Sequence, residues 1–209
     1  MMRIESVSSN PDRAGKYRVT FSDGSRMGLY RQTVEDHGLY PGKELSDQEL
    51  SDLKLDAGKM SAKMRAVRIV AASSVSKKDL QQRLVTKGET PEDAKDAVCW
   101  MEQMGVLDDS KTAQQVVSRC ISKGYGLARA KQALYEKRIP KHLWEEALVD
   151  YPDQEDKILA FLQSRLGDSW DQKDLRKAID ALLRRGHTYQ QIRTALNKLD
   201  ENVDLQEDY

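Results

Sequence analysis

A helical pattern that recurs every 49 residues constrains this chain more than any other feature. Thr90-Pro91 and Ile139-Pro140 stand 49 positions apart, and Ile139 and Thr188 are 49 apart again. Two of these points carry a helix-start signal, because Thr90 and Thr188 are followed three residues later by Asp93 and Gln191, the spacing of a reciprocal cap. The apolar positions behind them line up as Ala94 and Val98, Leu143 and Ala147, Ile192 and Leu196. Upstream of each start lies another helix with its own apolar stripe: Leu80, Leu84 and Val85; Leu127, Ala130 and Leu134; Leu175, Ala178, Ile179, Leu182 and Leu183. These stripes end at Lys87-Gly88, Lys137-Arg138 and Arg184-Arg185-Gly186. With first helices expected over 60–72, 109–123 and 153–166, each block is a trio of helices. A trio this small buries too little apolar surface to be robust alone, so the blocks are expected to stack into an elongated, curved solenoid. Tyr151-Pro152 is the expected hinge, since proline interrupts the helix there.

The first 45 residues follow a different period. Ile4 to Val7, Tyr17 to Phe21 and Ser25 to Tyr30 are short β-like runs, and Tyr17, Val19 and Phe21 alternate with Arg18 and Thr20 as in a half-buried strand. Asp23-Gly24 predicts a tight hairpin turn whose two positions both tolerate positive φ. A short helix is expected over 33–37, Tyr40-Pro41-Gly42 closes the unit, and Ser46 with Glu49 forms a capping box for the first helix of the remainder. The fold class is therefore mainly α, with tandem three-helix repeats and a small N-terminal β-hairpin element. The expected divisions are 1–45 for the β-element, 46–108, 109–150 and 151–199 for the repeats, and 200–209 for an acidic, disordered tail.

The second repeat is the most informative. Asp108 and Asp109 supply N-cap carboxylates, Ala113, Val116, Val117, Cys120 and Ile121 form one apolar stripe, and Gly124 stops the helix. From Arg119 to Lys141 seven lysines and arginines face a single acid, Glu136. The whole chain is neutral, but lysines and arginines number eight against ten acids over 1–58, seventeen against twelve over 59–150, and nine against twelve over 151–209. By this count only the middle segment attracts an anionic partner, either nucleic acid or an acidic protein surface.

Other chemistries find no support. His37, His142 and His187 have no ligand spacing, so no metal is expected. Gly124-Tyr125-Gly126 lacks the Lys-Ser/Thr pair of a phosphate loop, and no nucleophile, base and oxyanion site assemble, so neither a cofactor nor catalysis is expected. Cys99 and Cys120 sit among apolar neighbours and are expected reduced and buried. Trp100, Trp144, Trp170 and Tyr189 are expected to pack in cores. No stretch approaches the roughly 20 apolar residues of a membrane span, and the N-terminus lacks a signal-peptide core. A cytoplasmic monomer is the expectation.

The run Gly105-Val106-Leu107-Asp108-Asp109, then Ala113, Ser118-Arg119, Gly124-Tyr125-Gly126, Ala130 to Leu134 and Lys137-Arg138 resembles the signature of the RecX family. Ser76 to Leu80, Arg83-Leu84 and Lys87-Gly88 are similar to the family's upstream pattern. Two positions depart from it: Thr112 stands where an aromatic residue is common, and Arg138 where a glycine is. The resemblance implies a non-catalytic regulator that binds the RecA recombinase filament on single-stranded DNA. It implies inhibition or tuning of ATP hydrolysis, strand exchange and filament growth in DNA repair, homologous recombination and the SOS response. Arg119, Lys123, Arg129, Lys131, Lys137 and Arg138 are the candidate contacts, and Tyr125 either packs in its turn or meets the partner. The competing reading is a helical module whose middle repeat binds DNA directly.

Overall fold

The alternation at Tyr17 to Phe21 becomes one strand of an antiparallel sheet. In the computed structural model, which describes residues 1–167 and 171–204 with the side chains of 200–204 excepted, four strands lie in the order β3-β2-β1-β4. They are β1 (Met2–Val7), β2 (Lys16–Phe21), β3 (Arg26–Tyr30) and β4 (Glu44–Leu45). Ile4, Val19, Phe21 and Leu29 point to one side and are buried, whereas Arg18 and Arg26 are exposed. The element is larger than the expected hairpin. Its fourth strand, pairing Leu45 with Met2 and Glu44 with Arg3, is too short to show any alternation in sequence. The β2–β3 turn also differs, because Gly24 alone takes positive φ, at 79°. Asp23 instead accepts a hydrogen bond from the Ser25 amide at 2.9 Å, so its side chain shapes the turn.

After α1 (Arg31–Asp36), Ser46 and Glu49 form the expected capping box, and the helix they open runs without a break for 26 residues as α2 (Asp47–Ala72). The separate helix expected over 60–72 is its second half. Leu53, with Leu50 and Ala57, packs under the sheet, while Ala62 and Ala66 enter the core made with α3 (Lys77–Thr86) and α4 (Pro91–Gln103). One helix thus serves two cores. Gly58 lies between them, and a Cβ there would sit 2.8 Å from Asp93 Oδ2, so the missing side chain lets the capped start of α4 approach α2. Thr90 accepts from the Asp93 amide at 3.1 Å, as its spacing predicts.

By packing, the chain divides into two compact units, 1–107 and 108–209. The second unit holds two helical trios. The first comprises α5 (Asp109–Ser122), α6 (Leu127–Glu136) and a 3-10 turn, Lys141–Leu143, that leads into the short α7 (Trp144–Leu148). The second comprises α8 (Glu155–Leu166), α9 (Gln172–Arg184) and α10 (Tyr189–Asp204). Asp108 caps α5 by accepting from the amides of Ser110 and Lys111, and Ala113, Val116, Val117 and Cys120 are buried. Thr188 and Gln191 cap α10 reciprocally. α7 is short because Ile139 has no side-chain acceptor with which to repeat that cap.

Several expected core positions are exposed. Leu127 and Tyr189, the first residues of α6 and α10, are 42% and 63% exposed, since a first helical residue has no preceding turn to pack beside. Leu183 and Cys99 also face solvent, and only Cys120 fits the expectation of buried thiols, its pKa raised by that burial. Trp100 and Trp144 pack against their cores as half-buried side chains. Trp170 and residues 205–209 lie outside the described residues, and α10 carries the main chain to Asp204, into the segment expected as tail.

Candidate partner-binding surface

The Gly124-Tyr125-Gly126 turn joins the two trios of the second unit. Gly124, at φ 65°, ends α5, and a Cβ on it would meet the Lys157 side chain of α8 at 3.1 Å. The Gly126 amide donates to the Arg185 carbonyl at 2.9 Å, and the Tyr151 hydroxyl donates to the Tyr125 carbonyl at 2.6 Å. Burial of Tyr151, the largest cause, pushes its pKa up to about 12, so the hydroxyl keeps its donated proton. Tyr151-Pro152, the expected hinge, is thus tied down at Tyr151.

His187 completes the joint. It is 4% exposed, and its Nε2 lies 3.0 Å from the Gly124 carbonyl, which can only accept. Nε2 therefore carries the proton, and Nδ1 is a buried acceptor with no hydrogen-bond partner among the described residues. Burial, the largest cause, lowers the pKa of His187, as does the neighbouring Arg185, so the ring is held neutral.

The candidate basic residues fall into groups around this joint. Arg119 and Lys123 are exposed and four residues apart at the end of α5, on one helical face. The Lys123 ammonium lies 6.0 Å from the centre of the half-buried Tyr125 ring, so Tyr125 packs in the turn through its main chain while its ring carries a cation. Arg129 turns toward the other trio, where a Cβ on Gly186 would stand 2.3 Å from its amide nitrogen. Its guanidinium pairs with Glu136 at 3.1 Å and holds that carboxyl below its usual range. Lys131 is exposed and about 200° around α6 from Arg129, so the two do not share a face. Lys137 and Arg138 follow the last turn of α6, about 15 Å along the axis from Tyr125.

Sequence counting missed a second basic cluster in this unit. Phe161 is flanked by the guanidinium groups of Arg185 at 4.4 Å and Arg165 at 5.6 Å, beside a groove of about 430 Å³ also lined by Arg184 and by Lys177, which pairs with Asp174 at 3.1 Å. The signal was present: residues 157–199 hold nine lysines and arginines against four acids. The acidic residues on either side of that stretch cancelled it in the count over 151–209. Among the described residues no group of three or more His, Cys, Asp or Glu side chains is placed to hold a metal ion, and no helix is long and apolar enough to cross a membrane.

The architecture defines a class: a helical protein of tandem three-helix repeats that starts with a small antiparallel sheet. Residues 108–148 match the family model described as RecX, second three-helix domain. Over 204 residues the chain is 26% identical to the regulatory protein RecX of Clostridioides difficile (strain 630), covering 94% of each. Over 152 residues it is 28% identical to that of Vibrio parahaemolyticus serotype O3:K6 (strain RIMD 2210633), covering 71% of this chain and 98% of the relative. A crystal structure of regulatory protein RecX superposes with a TM-score of 0.62 at 16% identity, over 94% of this chain and all of the other, and so shares the fold. Its second helical trio thus matches a RecX domain, and most of its length is similar to proteins named regulatory protein RecX. Its relatives are named regulatory proteins, in keeping with the non-catalytic chain expected from sequence.

Proposed function

We propose that this chain regulates a RecA-type recombinase by binding the filament that the recombinase forms on single-stranded DNA, and that it slows the filament's ATP hydrolysis, strand exchange and growth. The observation that carries the reading is similarity along nearly the full chain to relatives named regulatory protein RecX. The basic residues at the joint of the second unit suit such a partner, because a filament repeats its acidic and phosphate groups, and weak contacts to several of them add while each stays reversible. Arg119, Lys123, Lys131 and Arg138 are the exposed candidates. Tyr125, Arg129 and Lys137 stand beside them, with Arg129 shared between the filament and the joint. The chain acts as a cytoplasmic monomer, without a cofactor.

Co-sedimentation with preformed filaments tests this. Replacing Lys131, Lys137 and Arg138 together by glutamate is expected to leave the melting temperature near that of the parent and to release the protein from the pellet. Undiminished pelleting would take these residues out of the interface.

A further inference from the structure

The solvent face of the N-terminal sheet carries a feature that the filament reading does not use. Lys16 and Arg18 of β2 and Arg26 of β3 border a groove of about 390 Å³, walled on one side by Ser8, Pro11 and Asp12 of the β1–β2 connection. We infer that this groove is a separate binding surface for the phosphate backbone of a single-stranded nucleic acid.

Three cations line the groove against one carboxylate, Asp12. That carboxylate is committed to its own turn, accepting from the amides of Lys16 at 2.9 Å and Ala14 at 2.8 Å. Arg18 and Arg26 are exposed, and neither forms an ion pair among the described residues. Arg18 lies opposite Gly28 and Arg26 opposite Thr20, so the two arginines are diagonal cross-strand neighbours, about 7–8 Å apart along the backbone. Like charges at that spacing repel, and an anion bridging them relieves the repulsion. Gly28 leaves the floor bare beside Arg18, where a Cβ would already crowd the Lys16 side chain at 3.3 Å.

The groove is built before any ligand arrives. Arg68 of α2 donates to the Ala14 carbonyl at 2.6 Å and to the Tyr30 hydroxyl at 3.2 Å, which fastens the β1–β2 connection to the helix. The Lys16 ammonium is held 5.2 Å from the centre of the Tyr30 ring.

The lining chemistry favours nucleic acid over a protein segment. A protein partner draws most of its affinity from aromatic and aliphatic anchors seated in apolar pockets, and here the only larger apolar side chains are Pro11 and Met27. A phosphate backbone needs cations alone, whose neutralisation of phosphates releases counterions. No aromatic ring lines the groove for base stacking, so binding is indifferent to sequence.

The test uses the full-length protein and a fluorescent single-stranded oligothymidine, followed by anisotropy across a salt series with no recombinase present, so its outcome is independent of the filament reading. Replacing Arg18 and Arg26 together by glutamate is expected to weaken binding at least tenfold and to flatten the log–log salt slope by about 1.4, the value for two lost single-strand phosphate contacts. The double lysine variant should retain most of the affinity, and melting temperatures show that each variant is folded. The inference is overturned if the glutamate variant binds as the parent does, or if the loss appears only in the Lys131, Lys137 and Arg138 glutamate variant. Displacement of the oligonucleotide by polyglutamate at equal charge concentration also overturns it.

Discussion

The Gly126 amide donates to the Arg185 carbonyl, and the Gly126 Cα lies so close to Gly186 that a Cβ would fall 2.0 Å from the Gly186 carbonyl oxygen. The two trios of the second unit therefore meet main chain to main chain. Gly126 has an ordinary φ of −76°, so its requirement is for space and not for backbone conformation. Gly126→Ala should destabilise the protein by about 3 kcal/mol, at the upper end of overpacking costs, because main chain on both sides must move. Gly105→Ala is the control: its φ of 67° is left-handed but nothing lies within 4 Å, and it should cost only about 1 kcal/mol. Urea unfolding separates the two values, and equal costs would mean that the approach at Gly126 is not close.

Arg138 is the only non-glycine among the described residues with positive φ, at 55°. At the matching ends of α3 and α9 the chain has Gly88 at 94° and Gly186 at 87°. Arg138 thus takes a helix-ending conformation that its Cβ disfavours, in the place where α3 and α9 are followed by glycine. Arg138→Gly should stabilise the fold by about 0.5–1 kcal/mol, the relief at the left-handed position exceeding the added freedom of the unfolded chain. A rise of a few degrees in melting temperature, together with weaker filament binding, would show that this arginine is kept for contact at a cost in stability.

His187 makes the joint sensitive to acid. Its pKa is lowered in the folded state, whereas the unfolded chain titrates near 6.5. Above about 6.5 both states hold the ring neutral and its contribution is fully present. As the pH falls below that, the unfolded chain takes up a proton that the folded chain resists, so stability drops until the folded value is passed and then levels off. His187→Gln retains a donor for the Gly124 carbonyl and removes the titration. Urea midpoints between pH 7.5 and 5.5 should decline for the parent and stay nearly flat for the variant; parallel declines would place the sensitivity elsewhere.

Local signals were legible in the sequence to the extent that they were local in physics. The caps at Ser46, Thr90, Asp108 and Thr188 act within three residues, and all four hold in the structure. The alternating strands were readable for the same reason. Features that depend on distant partners were not. β4 exists because Met2 and Arg3 lie beside it, and no local signal around Gly58 reveals that α4 approaches α2 there. Of the two basic clusters in the second unit only one was visible: the cations from Arg119 to Lys141 stood out, while those around Phe161 disappeared under the acids that flank them in the chain. Gly126 could be read as a turn residue, but no spacing in the sequence reveals that it faces Gly186.

The decisive measurement is ATP hydrolysis by RecA filaments preformed on single-stranded DNA, followed over time after this protein is added. The rate is expected to fall progressively as the protein is titrated, and the Lys131, Lys137 and Arg138 glutamate variant is expected to leave it unchanged at the same concentrations. Hydrolysis that proceeds at its original rate with saturating parent protein would contradict the account.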